Sequence, residues 1–405
     1  MMLALSKTDE YINHLVLTDS YLPHSGGSRV YYANIYNGIV DRYKDTVTIA
    51  TTKVPGWQEF DRTAITDRFH IIRRFEPLQD WKYEQLPKAI PQLIHASGVM
   101  LAGDYHCLHC GDLFPQAFNG VFLRGLFHVP LIVFCHGDEI SQTDRRRYQP
   151  KVRDFIYRRA DAIIAANQFA CDGLRRIGIA SSRIHKLTPG VDRAHFHPEP
   201  RNQELIRKYD LSGKKVILTV ARLIQRKGHR VVLKALPKVL REVPDVKYLI
   251  AGDGPDKPGM EQLVRDLGVS GSVIFLGDVP HERIHEYYSL CDVFVMINRL
   301  ERGGDVESFG MVFTEANAMG KPVIGGRSGG TAESVLDGQT GLLVEPDDSD
   351  EVAQSIRLLL TNCQLAQQMG ANGLRRVVAE FNWESRGRAL RQISAELVQN
   401  RRSRM

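Results

Sequence analysis

The sequence predicts two α/β domains, each a doubly wound parallel sheet, followed by a terminal helix. Three observations carry this. Short, nearly continuous apolar runs end in Gly, Asp or His, as strands buried on both faces do. Those runs alternate with segments of helical period, the pattern of right-handed crossover units. The whole set occurs twice in 405 residues, on either side of a proline-rich stretch. Composition agrees: 43% hydrophobic and 25% charged residues supply two cores and exclude a disordered, fibrous or disulfide-scaffold chain.

In the first half the expected strands are His14–Thr18, Val47–Thr52, His70–Arg74, Val99–Gly103, Pro130–His136 and Asp161–Asn167. In the second they are Lys215–Ala221, Val246–Gly252, Val273–Gly277, Val293–Ile297, Pro322–Gly325 and Gly341–Val344. Neither period continues through Thr188–Asp192 and His197–Pro200, which marks the boundary. The reading is an N-terminal domain over residues 1–195 and a second domain over 196–380. Residues 381–405 form a last helix, with Asn382 as N-cap candidate and Leu390, Ile393 and Leu397 at helical spacing. Coming after the last strand, it is free to pack back onto the first domain.

Six cysteines at irregular positions make no disulfide framework, and Cys135 lies inside an apolar run, where cysteine acts as a small hydrophobe. A reducing compartment follows. The first ten residues are too short and too quickly acidic for a secretory signal, and no segment reaches the ~20 apolar residues of a membrane span. The expectation is a cytoplasmic protein, with room for peripheral contact at the inner face of a membrane. A net charge of +6 is too modest to argue for nucleic acid, but it suits an anionic ligand or surface.

Ligands of open α/β sheets bind beyond the carboxyl ends of the strands. After the first strand, Gly26-Gly27 precedes a helix and either receives a phosphate at the helix start or only makes a tight turn. It is not the Gly-x-Gly-x-x-Gly fingerprint, which argues against a nicotinamide enzyme. After Lys215–Ala221, Arg222 and Lys227-Gly228 offer two cations that suit a diphosphate, or form a solvated basic loop.

The strongest local signal is Glu307 to Glu315, read as a loop, a short amphipathic helix, a glycine stop and a buried strand. Were the whole span helical, the two glutamates would stand about 12 Å apart along the axis. They would then grip hydroxyls at opposite ends of one ligand. Phe309, Gly310 and Met311 would leave unpaired N–H groups at the helix start. The alternative is a surface helix with exposed glutamates, against which the polar Gly303-Gly304-Asp305 loop weighs. Gly252-Asp253-Gly254-Pro255, Gly325 to Glu333, and His136-Gly137 end further strands at the same rim.

Taken together, these residues resemble glycosyltransferase family 4, the retaining nucleotide-sugar transferases of the GT-B fold, over nearly the whole chain. The carriers are Gly26-Gly27, His136-Gly137, Arg222 with Lys227-Gly228, Gly252–Pro255, the Glu307 and Glu315 pair, and Ser328 to Glu333. The resemblance implies two Rossmann-like domains with an interdomain cleft and a terminal helix crossing back to the first. It implies that Arg222 and Lys227 bind the donor diphosphate, with Gly26-Gly27 closing on the phosphate. Glu315 would hold the ribose, Glu307 the donor sugar, and His136 would help position the transferred sugar. The base would stack near Gly277–Val279, with Gly254 lining the nucleotide cleft.

The implied reaction moves a hexosyl group, mannosyl, glucosyl or similar, from a UDP- or GDP-sugar to a glycan or lipid-linked acceptor. Such transfers serve cell-envelope, exopolysaccharide or glycolipid synthesis. Fixed cations and helix-start N–H groups make a metal or other cofactor unnecessary. A rival on the same fold is a synthase of a soluble disaccharide or sugar phosphate. A rival from another class is a noncatalytic nucleotide-sugar-binding protein, which would be free to lose Arg222, Lys227, Glu307 and Glu315. The Arg302–Val306 insert departs from the commonest pattern and resembles loops of some lipid-directed mannosyltransferases.

Three further segments have bland readings. His106-Cys107-Leu108-His109-Cys110 with Asp104 lacks a second cysteine pair for structural zinc and is expected as a loop near the acceptor cleft. Asp348-Ser349-Asp350 reads as a helix cap rather than a metal site. The basic stretch from Arg145 to Arg159, with Val152, Phe155 and Ile156 at helical spacing, either docks on an anionic lipid surface or is a solvated face.

Overall fold

The computed structural model describes residues 11–23, 26–77, 87, 89–140, 150–301 and 306–403. The chain forms two compact units, Met1–Pro189 with Trp383–Met405, and Gly190–Asn382.

The first unit is built on a parallel sheet of order β3-β2-β1-β4-β5-β6-β7. Its strands are β1 (Asn13–Leu17), β2 (Thr46–Thr51), β3 (Phe69–Arg73) and β4 (Cys107–Cys110). They continue with β5 (Leu131–Cys135), β6 (Ala162–Ala165) and β7 (Ile184–Lys186). All five residues of β5 and all four of β6 are buried, as a strand covered by helices on both faces requires.

Two expectations need correction here. Val99–Gly103 is not a strand; it falls at the end of the helix Ala89–Ala102. Val99 and Met100 are buried while Leu101 is 77% exposed, a one-sided burial that a central strand cannot have. The strand is instead Cys107–Cys110, paired with β1 and β5. That segment is therefore no loop beside an acceptor, and both cysteines are free and buried. It reads as polar because His109 lies in the core with its ring nitrogens satisfied. β7 went unforeseen, being a three-residue, half-exposed edge strand.

His109 belongs to a buried polar chain. Tyr36 hydroxyl donates to His109 Nδ1 at 2.8 Å, and His109 Nε2 meets His14 Nδ1 at 3.2 Å. His14 Nε2 meets Asp45 at 3.3 Å, and Asp45 also accepts from the Ile12 N–H and from Arg391 Nε. Because the carboxylate can only accept, the histidine protons all point the same way along the chain. Arg391 and Ser394 come from the terminal helix Trp383–Arg402, so this network ties that helix into the sheet. The helix lies along the helix Gly27–Val40, and a Cβ on Gly387 would stand 3.1 Å from the Ile35 carbonyl oxygen. Glycine at 387 is what permits that approach.

The second unit carries a parallel sheet of order β10-β9-β8-β11-β12-β13. Its strands are β8 (Lys215–Val220), β9 (Val246–Ala251), β10 (Val273–Gly277), β11 (Val293–Met296), β12 (Val323–Gly326) and β13 (Gly341–Val344). Apolar clusters cover it, one around Leu218, Phe294 and Phe313 and another around Ile217, Leu236 and Ile356. Asp348 caps the helix Ser349–Thr361, accepting from the Asp350 and Glu351 N–H groups at 2.8 and 3.0 Å. Its carboxylate serves as a cap, as read from the sequence.

Burial holds His14 and His109 below the ordinary histidine value of 6.5, and pushes His229 down to about 4. These rings are neutral when folded, whereas the unfolded chain takes up protons near 6.5, so unfolding gains protons below that pH. The stability they contribute is complete above about pH 6.5 and is lost as pH falls toward the depressed values. The urea midpoint is expected to fall between pH 7 and 5, each histidine adding up to about 1.4 kcal/mol per pH unit. His109→Gln should flatten that slope, and an unchanged slope would contradict the account.

Candidate functional site

The carboxyl ends of the second unit's strands collect most of the residues singled out above. Arg222 follows β8 and is exposed. The Gly252–Pro255 turn after β9 is stitched to it: Leu223 N–H donates to Asp253 O at 2.9 Å, and Asp256 N–H to Leu223 O at 3.0 Å. Gly254 has to be small, since a Cβ there would stand 2.5 Å from the Leu223 carbonyl oxygen. Gly228 has φ +71°, and a Cβ on it would meet the Ile297 carbonyl oxygen at 1.7 Å. The Lys227-Gly228 turn is thus pressed against the end of β11.

Glu307 is the centre of this cluster. The residue is 8% exposed, and its carboxylate pairs with Lys227 Nζ and lies 3.5 Å from Arg226 Nη1. Arg226 also donates to Val306 O at 2.8 Å. Burial alone would raise the Glu307 pKa, but Lys227, Arg226 and, more weakly, Arg222 outweigh it and hold the carboxyl below its ordinary range. Beneath the loop, Gly330 N–H donates to Glu307 O at 2.8 Å. A Cβ on Gly330 would stand 1.8 Å from Ser308 O, and one on Gly329 would stand 2.3 Å from Glu307 O. Glycines at 329 and 330 therefore let two backbones touch and fix where the glutamate points.

The helix begins at Met311, with Gly310 as N-cap at φ +78°. Glu307 lies in the loop before it, so the two glutamates do not share one helix; the loop–helix–glycine–strand reading describes the span. Phe313 N–H donates to Gly310 O at 3.0 Å, which leaves the N–H groups of Met311 and Val312 as the ones for which the helix itself provides no acceptor. Phe309 is buried against Phe381 at 5.6 Å, and Met311 and Val279 are half-buried on the same apolar cluster. Glu315 accepts from Tyr288 hydroxyl at 2.9 Å. Burial pushes its carboxyl up to about 7, with Tyr288 pulling the other way.

In the first unit, Gly26 caps the helix Gly27–Val40 and both glycines are exposed. A Cβ on Gly27 would meet nothing within 4 Å, so the fold itself does not demand glycine there. His136 follows β5, two strands along the sheet from β1. Its N–H and that of Gly137 donate to Glu139 Oε2 at 3.1 and 2.9 Å, and its carbonyl accepts from Asn167 at 2.8 Å. Burial holds its ring below the ordinary histidine range, against Asp112 and Asp138. His24, Ser25, Arg145–Arg147 and the Arg302–Asp305 stretch lie outside the described residues. The helix Pro150–Arg159 buries Ile156 and Tyr157 and exposes Lys151, Phe155, Arg158 and Arg159. Among the described residues no group of three metal-ligating side chains converges, and no helix is long and apolar enough to cross a membrane.

Sequence reasoning missed Arg226, Tyr288 and the support that Gly329 and Gly330 give to Glu307. Arg226 adjoins Lys227 in a basic doublet, a signal that was available. Tyr288 is a buried aromatic residue of the helix Ile284–Leu290, where it reads as core, and gave none.

Residues 25–195 match the family model described as Glycosyltransferase Family 4, and residues 201–376 that described as Glycosyl transferases group 1. The chain is 30% identical over 396 residues to a GDP-mannose-dependent alpha-(1-6)-phosphatidylinositol monomannoside mannosyltransferase of Mycolicibacterium smegmatis, covering 96% of this chain and 98% of that one. It is 28% identical over 390 residues to the protein of that description from Mycobacterium tuberculosis, covering 92% and 95%. Among solved structures, Anabaena HepE with UDP superposes with TM-score 0.78 at 18% identity, covering 95% of this chain and all of that one. A sucrose-phosphate synthase from Thermosynechococcus elongatus does so with TM-score 0.77 at 24% identity, covering 96% and 100%.

The Lys227–Glu307 pair is expected to behave as a coupled unit. Lys227→Met leaves the buried Glu307 carboxylate with the longer Arg226 contact at 3.5 Å and should cost roughly 1–3 kcal/mol of stability in urea titration. Adding Glu307→Gln should recover most of it, whereas additive losses would show that the two do not interact.

Proposed function

The chain belongs to glycosyltransferase family 4, with the GT-B fold and hexosyltransferase activity of that family, and from that premise we propose that it moves a mannosyl group from GDP-mannose to a lipid-linked glycan acceptor with retention at the anomeric carbon. The observation that carries this reading is the similarity, over nearly the full length of both chains, to mannosyltransferases described as GDP-mannose-dependent and acting on phosphatidylinositol monomannoside.

The chemistry of the site supports it. Breaking the anomeric bond sends negative charge onto the leaving diphosphate. Arg222 and Lys227, whose charges both act on Glu307 in the loop before the helix Met311–Ala318, are the groups that would take up that charge. Arg226 stays on Glu307 and Val306, so Lys227 can turn toward phosphate without leaving the carboxylate unpaired. Glu307 then meets hydroxyls of the donor sugar, and Glu315 the ribose diol. Phe309, Gly310 and Met311 present the helix start, while Val279 and Gly254 border the nucleoside. In the first unit, Gly26 and Gly27 are read as offering backbone N–H groups to phosphate. His136 is read as a contact of the transferred sugar.

With these cations in place the reaction runs without a metal, and the retaining step is a front-face attack within an ion pair. Lys151, Arg158 and Arg159, with Phe155 exposed among them, suit contact with the anionic lipid surface that carries the acceptor.

The direct test offers radiolabelled GDP-mannose, UDP-glucose and ADP-glucose, each with lipid-linked or soluble acceptors. Turnover should require GDP-mannose and the lipid-linked acceptor, give an α-linked product, and survive EDTA. Transfer to a soluble sugar phosphate instead would favour the synthase reading. In a second measurement, GDP should raise the melting temperature, and the Arg222→Ala, Lys227→Ala double variant should abolish that shift. Glu307→Gln should keep the shift yet lose turnover by about a hundredfold. A full shift in the double variant would refute the phosphate assignment.

A further inference from the structure

We propose that Tyr32 is a positioning residue that sets the tautomer of His136, so that His136 Nδ1 faces the transferred hexose as a hydrogen-bond acceptor. The inference rests on the reading of His136 as the residue beside that sugar.

One phenolic proton has to serve two close contacts at the Tyr32 hydroxyl. Tyr32 hydroxyl lies 2.6 Å from the Gly111 carbonyl oxygen, which can only accept, so the one phenolic proton goes there. The same hydroxyl oxygen lies 2.6 Å from His136 Nε2. With no second proton to give, it must accept, and Nε2 must carry the imidazole hydrogen. A neutral imidazole has only one such hydrogen, which leaves Nδ1 as a bare lone pair. No hydrogen bond to Nδ1 is made among the described residues.

Both rings stay in the required form. Burial keeps Tyr32 a phenol, raising its pKa well above the ordinary value, and keeps His136 neutral. The arrangement is also rigid. Tyr31 meets the His136 ring edge-on at 5.7 Å, and Phe134 lies nearly parallel to it at 6.4 Å. Gly111 is held by its own N–H, which donates to Leu17 O at 2.8 Å. A Cβ on Gly111 would stand 2.8 Å from the Tyr32 ring, so glycine at 111 is what lets the carbonyl and hydroxyl meet.

The consequence is directional. A bare Nδ1 accepts a proton from a sugar hydroxyl and so fixes which way that hydroxyl points. The other tautomer would present N–H and demand the hydroxyl oxygen's lone pair instead. Tyr32 touches no substrate in this scheme and acts only through His136.

The test reads the tautomer itself. The full chain, labelled with 15N-histidine, is examined at pH 7.5 by long-range proton–nitrogen correlation, with His136→Ala identifying the signal among the 14 histidines. The Nε2–H form is expected; finding Nδ1–H in the wild-type protein overturns the proposal, whatever any variant does. Tyr32→Phe keeps the ring and removes the hydroxyl. It should mix the tautomers and lower kcat/KM for GDP-mannose about tenfold, with GDP affinity unchanged within about twofold. A Phe variant with wild-type tautomer and wild-type turnover also overturns it. Full activity in His136→Ala would instead remove His136 from the sugar site, a failure of the underlying reading that the tautomer measurement keeps separate.

Discussion

A buried carboxylate between two cations is the constraint on which the second unit's site depends. Glu307 is almost closed to solvent, and an ionised carboxyl there is tenable only because Lys227 and Arg226 face it. Those cations come from the loop after β8, whereas Glu307 comes from the loop after β11. Satisfying one charge therefore docks two loops that are 80 residues apart in sequence. The glycines at 228, 329 and 330 follow from this, because the loops can meet only where backbone touches backbone. The same knot gathers positive charge beyond the carboxyl ends of β8 and β11.

The first unit solves a related problem with neutral groups. His14, His109 and Tyr36 are fully buried, and each polar atom hands its hydrogen to the next until Asp45 receives the last. Direction, rather than charge, makes that chain stable. Tyr32, Gly111 and His136 repeat the device at the end of the sheet, where the last ring nitrogen is left open.

Much of this was legible in the sequence, and the failures have physical reasons. Strands ending in glycine or histidine announced themselves by unbroken apolar runs, and β10 and β13 coincide with their expected spans. Val99–Gly103 failed because a short apolar run has no period long enough to separate helix from strand. Cys107–Cys110 failed for the opposite reason: its histidine looks solvated until Tyr36, 73 residues away, is seen to satisfy it. Motif residues such as Arg222, Lys227 and Glu307 stand out in the sequence because charged side chains just beyond apolar strand runs are unusual for a core and suit a ligand. Tyr32 and Tyr288 act through hydroxyl contacts to residues distant in sequence, which no local pattern encodes.

The terminal helix has a consequence for how the chain comes to be folded. Every contact within Gly190–Asn382 is available once residue 382 has been made, so that unit is free to close during synthesis. The first unit, although translated earlier, lacks Arg391 and Ser394 against Asp45 and His109 until the last stretch leaves the ribosome. Nascent chains would then mature in the reverse of their order of manufacture, with the leading half waiting for its tail.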